Sequence, residues 1–203
     1  VVGVLSANLT ESGHWTNVEC AWLDEVAAGG LCSYHGDIMG VLSAIREEAR
    51  VFQSRHEALE HILKFMRGVD QAQQRTQDGW FQARLFYGQG DQGFADFLRE
   101  ELRLPAGIYH LEIISPFFDD GAALRALHKA LAPKSTRVYL PLREDNAAVC
   151  EKAYFDALRA LPNATWAKFV DPSYLRRGTK GTDDLRRAVH AKVYRLWSKA
   201  EGE

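Results

Sequence analysis

The 203 residues are 46% hydrophobic, 26% charged and 11% aromatic, a balance that excludes a disordered chain and suffices for one domain core or two small ones. Cys20, Cys32 and Cys150 are too few and odd in number for a disulfide framework, which points to a reducing, cytoplasmic setting. No apolar run reaches the roughly 18 residues of a membrane span, and no basic segment leads into an apolar one as a secretion signal would. The formal net charge of −2 hides an asymmetry: residues 168–199 hold nine Lys or Arg against three acids, a local +6, and the rest carries −8. A basic stretch in an acidic chain suits an anionic partner such as phosphate; an ordinary solvated loop is the alternative.

Residues 1–5 (Val-Val-Gly-Val-Leu) read as a buried strand. A domain seldom starts inside its own core, so the chain is expected to be an internal window of a longer protein. Residues 17–23 form a second strand, with Val18, Cys20 and Trp22 alternating against Asn17 and Glu19. From 39 to 68 the apolar period turns helical through Leu42, Ile45, Ala49, Leu59, Ile62, Leu63 and Met66. Residues 69–79 are polar and Gln-rich and read as a linker. Strands at 80–87, 108–115, 137–142, 165–170 and 188–196 then alternate with helices at 94–104, 121–131 and 146–161. That order predicts an α/β fold whose sheet is largely parallel. The expected organisation is a first segment at 1–68, the linker at 69–79 and a main domain at 80–203.

Gly88-Gln89-Gly90-Asp91-Gln92-Gly93 spells G-x-G-x-x-G between an expected strand and helix, and Glu112 follows at about the spacing of a ribose-binding acid. Two features favour a structural turn over a nucleotide site. The preceding strand alternates, with Phe81, Ala83, Leu85 and Tyr87 against Gln82 and Arg84, whereas a central parallel strand is apolar on both faces. Glu112 also sits mid-strand instead of at a carboxyl end. Cys32 and His35 have metal-pair spacing but no second pair, so no metal and no cofactor are expected. His110 and His128 stand singly and read as structural.

The last strand differs. His190 and Lys192 lie two apart and so share one face, with Val189, Ala191 and Val193 on the other. An imidazole can attack phosphorus or protonate a leaving oxygen, and an ammonium can hold phosphate oxygens. Both residues fall inside the +6 stretch.

Residues 6–13 (Ser-Ala-Asn-Leu-Thr-Glu-Ser-Gly) followed by Asn17-Val18-Glu19 resemble the G-S-x-N-L-T, glycine, N-x-E run of the phospholipase D superfamily. His190-Ala191-Lys192 resembles that family's H-x-K, and residues 113–119, ending Ser115-Pro116-Phe117-Phe118-Asp119, resemble a strand end found early in one of its halves. The resemblance spans nearly the whole chain. It implies a phospholipase D-like α-β-α sandwich and a metal-independent phosphodiesterase built from two similar halves, working through a phosphohistidine. His190 would be one of the two catalytic histidines, with Lys192 on the phosphate. Ser6 and Asn8 would donate to phosphate oxygens, Glu19 would hydrogen-bond a catalytic imidazole, and Asp119 would stand at the cleft rim. The motif order implies that the second H-x-K comes from flanking sequence or a second subunit, so these 203 residues alone are expected to be inactive.

Two positions depart from the family pattern. Trp197 stands where the motif has aspartate, a loss shared with the tyrosyl-DNA phosphodiesterases, and Leu5 stands where glycine usually precedes Ser6. The expected substrate is nucleic acid over phospholipid, since no amphipathic lipid-binding segment is evident. The alternatives are a non-catalytic phosphate- or nucleic-acid-binding or scaffolding module, and a phospholipase or phosphatidyltransferase.

Overall fold

A computed structural model describes residues 1–5, 17–18, 21–51, 56–71, 84–88, 93–102, 107–115, 118–140, 149–167, 188–189 and 191–198. In chain order its elements are β1 (Val2–Leu5), β2 (Asn17–Val18), β3 (Ala21–Asp24), β4 (Leu31–Cys32), α1 (His35–Val51), α2 (Glu57–Met66) and β5 (Asp70–Gln71). There follow α3 (Phe94–Leu102), β6 (His110–Ile114), α4 (Ala122–Leu131), β7 (Ser135–Tyr139), α5 (Lys152–Ala160), β8 (Ala164–Ala167), β9 (Ala188–Val189) and β10 (Val193–Trp197). The chain divides into two compact units, Val1–Val2 with Leu23–Phe97 and Gly3–Trp22 with Leu98–Glu203.

In the first unit the expected helix at 39–68 is two helices, and α1 begins earlier, at His35. The apolar period of α2 buries Leu59, Leu63 and Met66. Residues 69–71, the start of the expected linker, are docked: Val69 is buried, and β5 pairs in parallel with β4, Asp70 opposite Leu31 and Gln71 opposite Cys32. The Gln71 side chain accepts from the Gly36 amide and donates to the Ser33 carbonyl, both at 2.9 Å. Residues 72–80 lie outside the described residues.

The strand expected at 80–87 is not formed over 84–88. Side-chain contacts hold this segment instead of a ladder. Asp37 accepts from Arg84 Nε at 3.0 Å and from the Leu85 amide at 3.1 Å, and the Phe86 ring packs on Phe94 and Phe97 with centroids 5.5 and 5.0 Å away. The strand expected at 1–5 forms as β1 but is not the buried strand expected. β1 pairs only with β3 in a two-stranded sheet, and Val1 and Val4 are exposed.

The second unit is α/β, built on a four-stranded sheet of order β10-β6-β7-β8. β6 pairs in parallel with β7, and β7 with β8, while β10 runs antiparallel to β6. The sheet is therefore mixed and largely parallel, as expected. An antiparallel edge strand needs no crossover helix and can arrive from a distant part of the chain. One sheet face is closed by α4 and α5. Leu111, Ile113, Thr136, Val138 and Leu140 meet the apolar stripe Leu124, Leu127 and Leu131 of α4 and Tyr154, Ala157 and Leu158 of α5, all buried.

Thr136 and Tyr109, both buried on this side, are paired. His128 Nδ1 lies 3.0 Å from Thr136 Oγ1, and Tyr109 donates its hydroxyl to the Leu131 carbonyl. On the other sheet face Glu112 bridges Arg137 at 3.5 Å and Arg195 at 3.1 Å, its neighbours in register on both sides. Glu112 is thus a structural ion-pair centre, matching its mid-strand place.

Gly121 lets α4 pack on α5. Its φ of +85° lies in the left-handed region, and a Cβ there would stand 2.5 Å from the Ala157 Cβ.

Candidate functional site

The strand expected at 188–196 serves two partners. β9 pairs in parallel with β2, Ala188 opposite Asn17 and Val189 opposite Val18. After a short break β10 joins β6, Val193 opposite Ile114 through Trp197 opposite His110. Segments 171 residues apart in sequence, which together carry the resemblance, are thus hydrogen-bonded neighbours within one unit. The next residues in sequence after Val18 and Val189 are Glu19 and His190; these two, with Ser6 and Asn8, lie outside the described residues.

Lys192 is described and exposed, and it immediately precedes Val193, whose partner Ile114 ends β6. Its position is therefore at the carboxyl end of β6, the end of a parallel strand where α/β folds usually hold ligands. Ala191 is buried, as the alternation expected of that strand requires.

At the same end of β6 a pocket of about 460 Å³ opens among β6, α4, α5 and β10. Ile113, Leu124 and Leu127 give it an apolar floor, and Phe118, Tyr154 and Tyr194 give it aromatic walls. Ser115 and Asp119 bring the polar edge. Asp119 is held in place by α4: Oδ1 accepts from the Gly121 amide at 2.7 Å and Oδ2 from the Ala123 amide at 3.4 Å, so the carboxylate caps the helix it precedes. Among the described residues no Lys or Arg pairs with it.

Burial first, and then the Asp119 charge, push the Tyr154 and Tyr194 phenols above the ordinary tyrosine range. Both stay protonated at neutral pH and can donate. Among the described residues the Tyr154 hydroxyl has no hydrogen-bond partner, although the side chain is buried.

Sequence reasoning singled out Asp119 and Lys192 here but missed Tyr154 and Tyr194. The signal for Tyr194 was present: it lies two residues beyond Lys192 and so shares its strand face. Tyr154 sits at a buried helix position indistinguishable by period from Leu158.

Trp197, at the motif's aspartate position, is paired with His110 at the opposite end of β6 from Lys192. Its ring stacks on His110 with centroids 4.5 Å apart, and the Arg195 guanidinium lies 5.5 Å from the Trp197 centroid. His110 Nδ1 is 2.7 Å from Ser135 Oγ. His110 and His128 are both structural. His35 of the Cys32/His35 pair engages the Met66 carbonyl at 2.9 Å, and Cys32 is buried with its thiol pushed up, first by desolvation. Among the described residues no group of three His, Cys, Asp or Glu is placed to hold a metal ion. Of the G-x-G-x-x-G run only Gly88 and Gly93 are described, and no strand precedes them over 84–87.

No helix among the described residues is long and apolar enough to cross a membrane. Comparison with models of known protein families, with curated proteins and with solved structures finds no match.

Proposed function

We propose that the chain contributes one half of a phosphodiester-hydrolase site of the phospholipase D type, with a phospholipase D-like α-β-α sandwich as its fold. Nucleic acid is the substrate and the cytoplasm the setting. The observation that carries this reading is the β2–β9 pairing, which sets side by side two of the segments whose sequences carry the resemblance. The position of Lys192 at the carboxyl end of β6, inside the +6 stretch, adds to it.

In this mechanism the imidazole of one histidine attacks phosphorus, a P–N bond forms, and the P–O bond to the leaving group breaks. The other histidine gives its proton to the leaving oxygen and then takes one from the water that hydrolyses the phosphohistidine. His190 is one of the two. Lys192, Ser6 and Asn8 hold the non-bridging oxygens, Glu19 orients an imidazole, and a second H-x-K comes from the rest of the protein or from a second copy.

The test is hydrolysis of bis(p-nitrophenyl) phosphate and of DNA by the full-length protein in excess EDTA. Turnover persists in chelator, His190→Ala lowers it by about 1,000-fold or more, and Lys192→Ala by about 100-fold. Loss of all turnover in chelator, or full activity of His190→Ala, defeats the mechanism. Unless a second copy supplies the other H-x-K, the 203 residues alone give no turnover.

Trp197 and Leu5 favour a second reading, a non-catalytic module that binds phosphate backbone. Steeply salt-dependent DNA binding with no turnover sensitive to His190→Ala is its signature.

A further inference from the structure

We propose that the pocket at the carboxyl end of β6 is a base subsite that takes guanine, with Asp119 accepting from the base's N1–H and N2–H₂ edge. The inference rests on the proposed function only for the phosphate that the base would carry toward Lys192. The pocket's 460 Å³ is of the size that holds small organic ligands, and Phe118, Tyr154 and Tyr194 give it π surfaces of the kind on which bases stack. Phe118 and Tyr154 already pack on each other with centroids 4.4 Å apart and act as one wall, while Tyr194 comes separately from β10.

The polar groups select within that class. Each Asp119 oxygen receives one backbone amide and keeps further acceptor capacity, and among the described residues no cation neutralises it. The partner it calls for presents two adjacent donors on one edge. Guanine does; adenine and cytosine each set one amino group beside an acceptor, and uracil sets one N–H between two carbonyls. The Tyr154 hydroxyl, protonated and without a partner among the described residues, can donate to the guanine O6 or N7.

Two other occupants fit less well. An organic cation would meet the positive end of α4, whose first-turn amides converge on Asp119, and an inorganic phosphate would meet the Asp119 charge itself. Lys192 and Tyr194 lie two residues apart, roughly 7 Å along a strand, which leaves Lys192 for the phosphate of the same nucleotide.

The experiment titrates the full-length protein with guanosine, inosine, adenosine and uridine 5′-monophosphates, following tyrosine and tryptophan fluorescence and calorimetric heat. Guanosine monophosphate should bind at least about tenfold more tightly than the adenosine and uridine nucleotides, with inosine monophosphate, which lacks N2, in between. Asp119→Asn keeps a helix-capping oxygen and so the fold, yet should erase the guanine preference while leaving adenosine monophosphate affinity unchanged. Tyr194→Ala should weaken all four nucleotides. Equal affinity for all four overturns the proposal, as does displacement by tetramethylammonium, which would make the pocket a cation cage. Binding is read without turnover: hydrolysis that shows no base preference defeats the subsite alone, and guanine binding by a protein inert toward phosphodiesters defeats the hydrolase reading alone.

Discussion

Trp197 lies flat on His110 across the β10–β6 ladder, with 26° between their planes, on the sheet face opposite Tyr194 and the pocket. Trp197 therefore works in packing. Trp197→Ala should destabilise the protein by about 2–3 kcal/mol, less than a fully buried tryptophan costs because the ring is only partly buried. Trp197→Asp should destabilise at least as much and give no gain in hydrolysis, since it puts a carboxylate at the far end of β6 from Lys192. Urea midpoints and turnover of the full-length protein check the pair; a rise in activity for Trp197→Asp refutes this placement.

Gly121 should tolerate no side chain. Gly121→Ala combines a left-handed backbone with a contact of 2.5 Å to Ala157, so a loss of about 2–4 kcal/mol is expected from strain and overpacking together. The variant also displaces the first turn of α4, which holds Asp119. Guanosine monophosphate affinity should therefore fall along with the melting temperature, whereas an exposed change elsewhere on α4, such as Lys129→Ala, moves neither.

Alkaline pH should unfold the protein through its buried phenols. Tyr34, Tyr109 and Tyr154, each buried, are pushed above the ordinary tyrosine range, first by desolvation, with Asp24 adding to the effect at Tyr34 and Asp119 at Tyr154; the half-exposed Tyr194 is pushed the same way. A phenol whose folded pKa exceeds its unfolded value contributes stability that is complete below the unfolded pKa. That stability is lost as pH rises above about 10 toward the folded value. Denaturation midpoints should fall gently through the thiol range, where the raised Cys32 titrates, and more steeply beyond about pH 10. Tyr154→Phe should flatten that fall; a slope unchanged by the substitution refutes the assignment.

Where local pattern and tertiary partner agree, the sequence is a good guide. The strand expected at 108–115 is β6 at His110–Ile114, and the helix expected at 121–131 is α4 at Ala122–Leu131 with its leucine stripe inward. The misses occur where a partner decides. The run 188–196 reads as one strand, alternating from Val189 to Val193, yet it changes partner from β2 to β6, and periodicity carries no record of which strand lies alongside. Residues 84–87 belong to a run that reads as a strand, but Asp37 and the phenylalanines of α3 hold them by side chains. In the site, Lys192 and Asp119 were legible as chemistry. The pocket beside Asp119 was not, because it is made by Tyr154 and Tyr194 converging from α5 and β10.

The β10–β6 ladder also sets an order of assembly. β6, α4, β7, α5 and β8 follow one another closely in sequence, whereas Arg195 and Glu112 meet across 83 residues. Loop-closure entropy makes so distant a strand the late arrival. Because Tyr194 rides on that strand, the core consolidates before the pocket has its second aromatic wall. Mutations at Leu124 or Val138 should slow folding, while Tyr194→Ala should chiefly hasten unfolding. A ligand that clasps Tyr194 would then act as a kinetic latch, lengthening the lifetime of the folded state without changing how fast it forms.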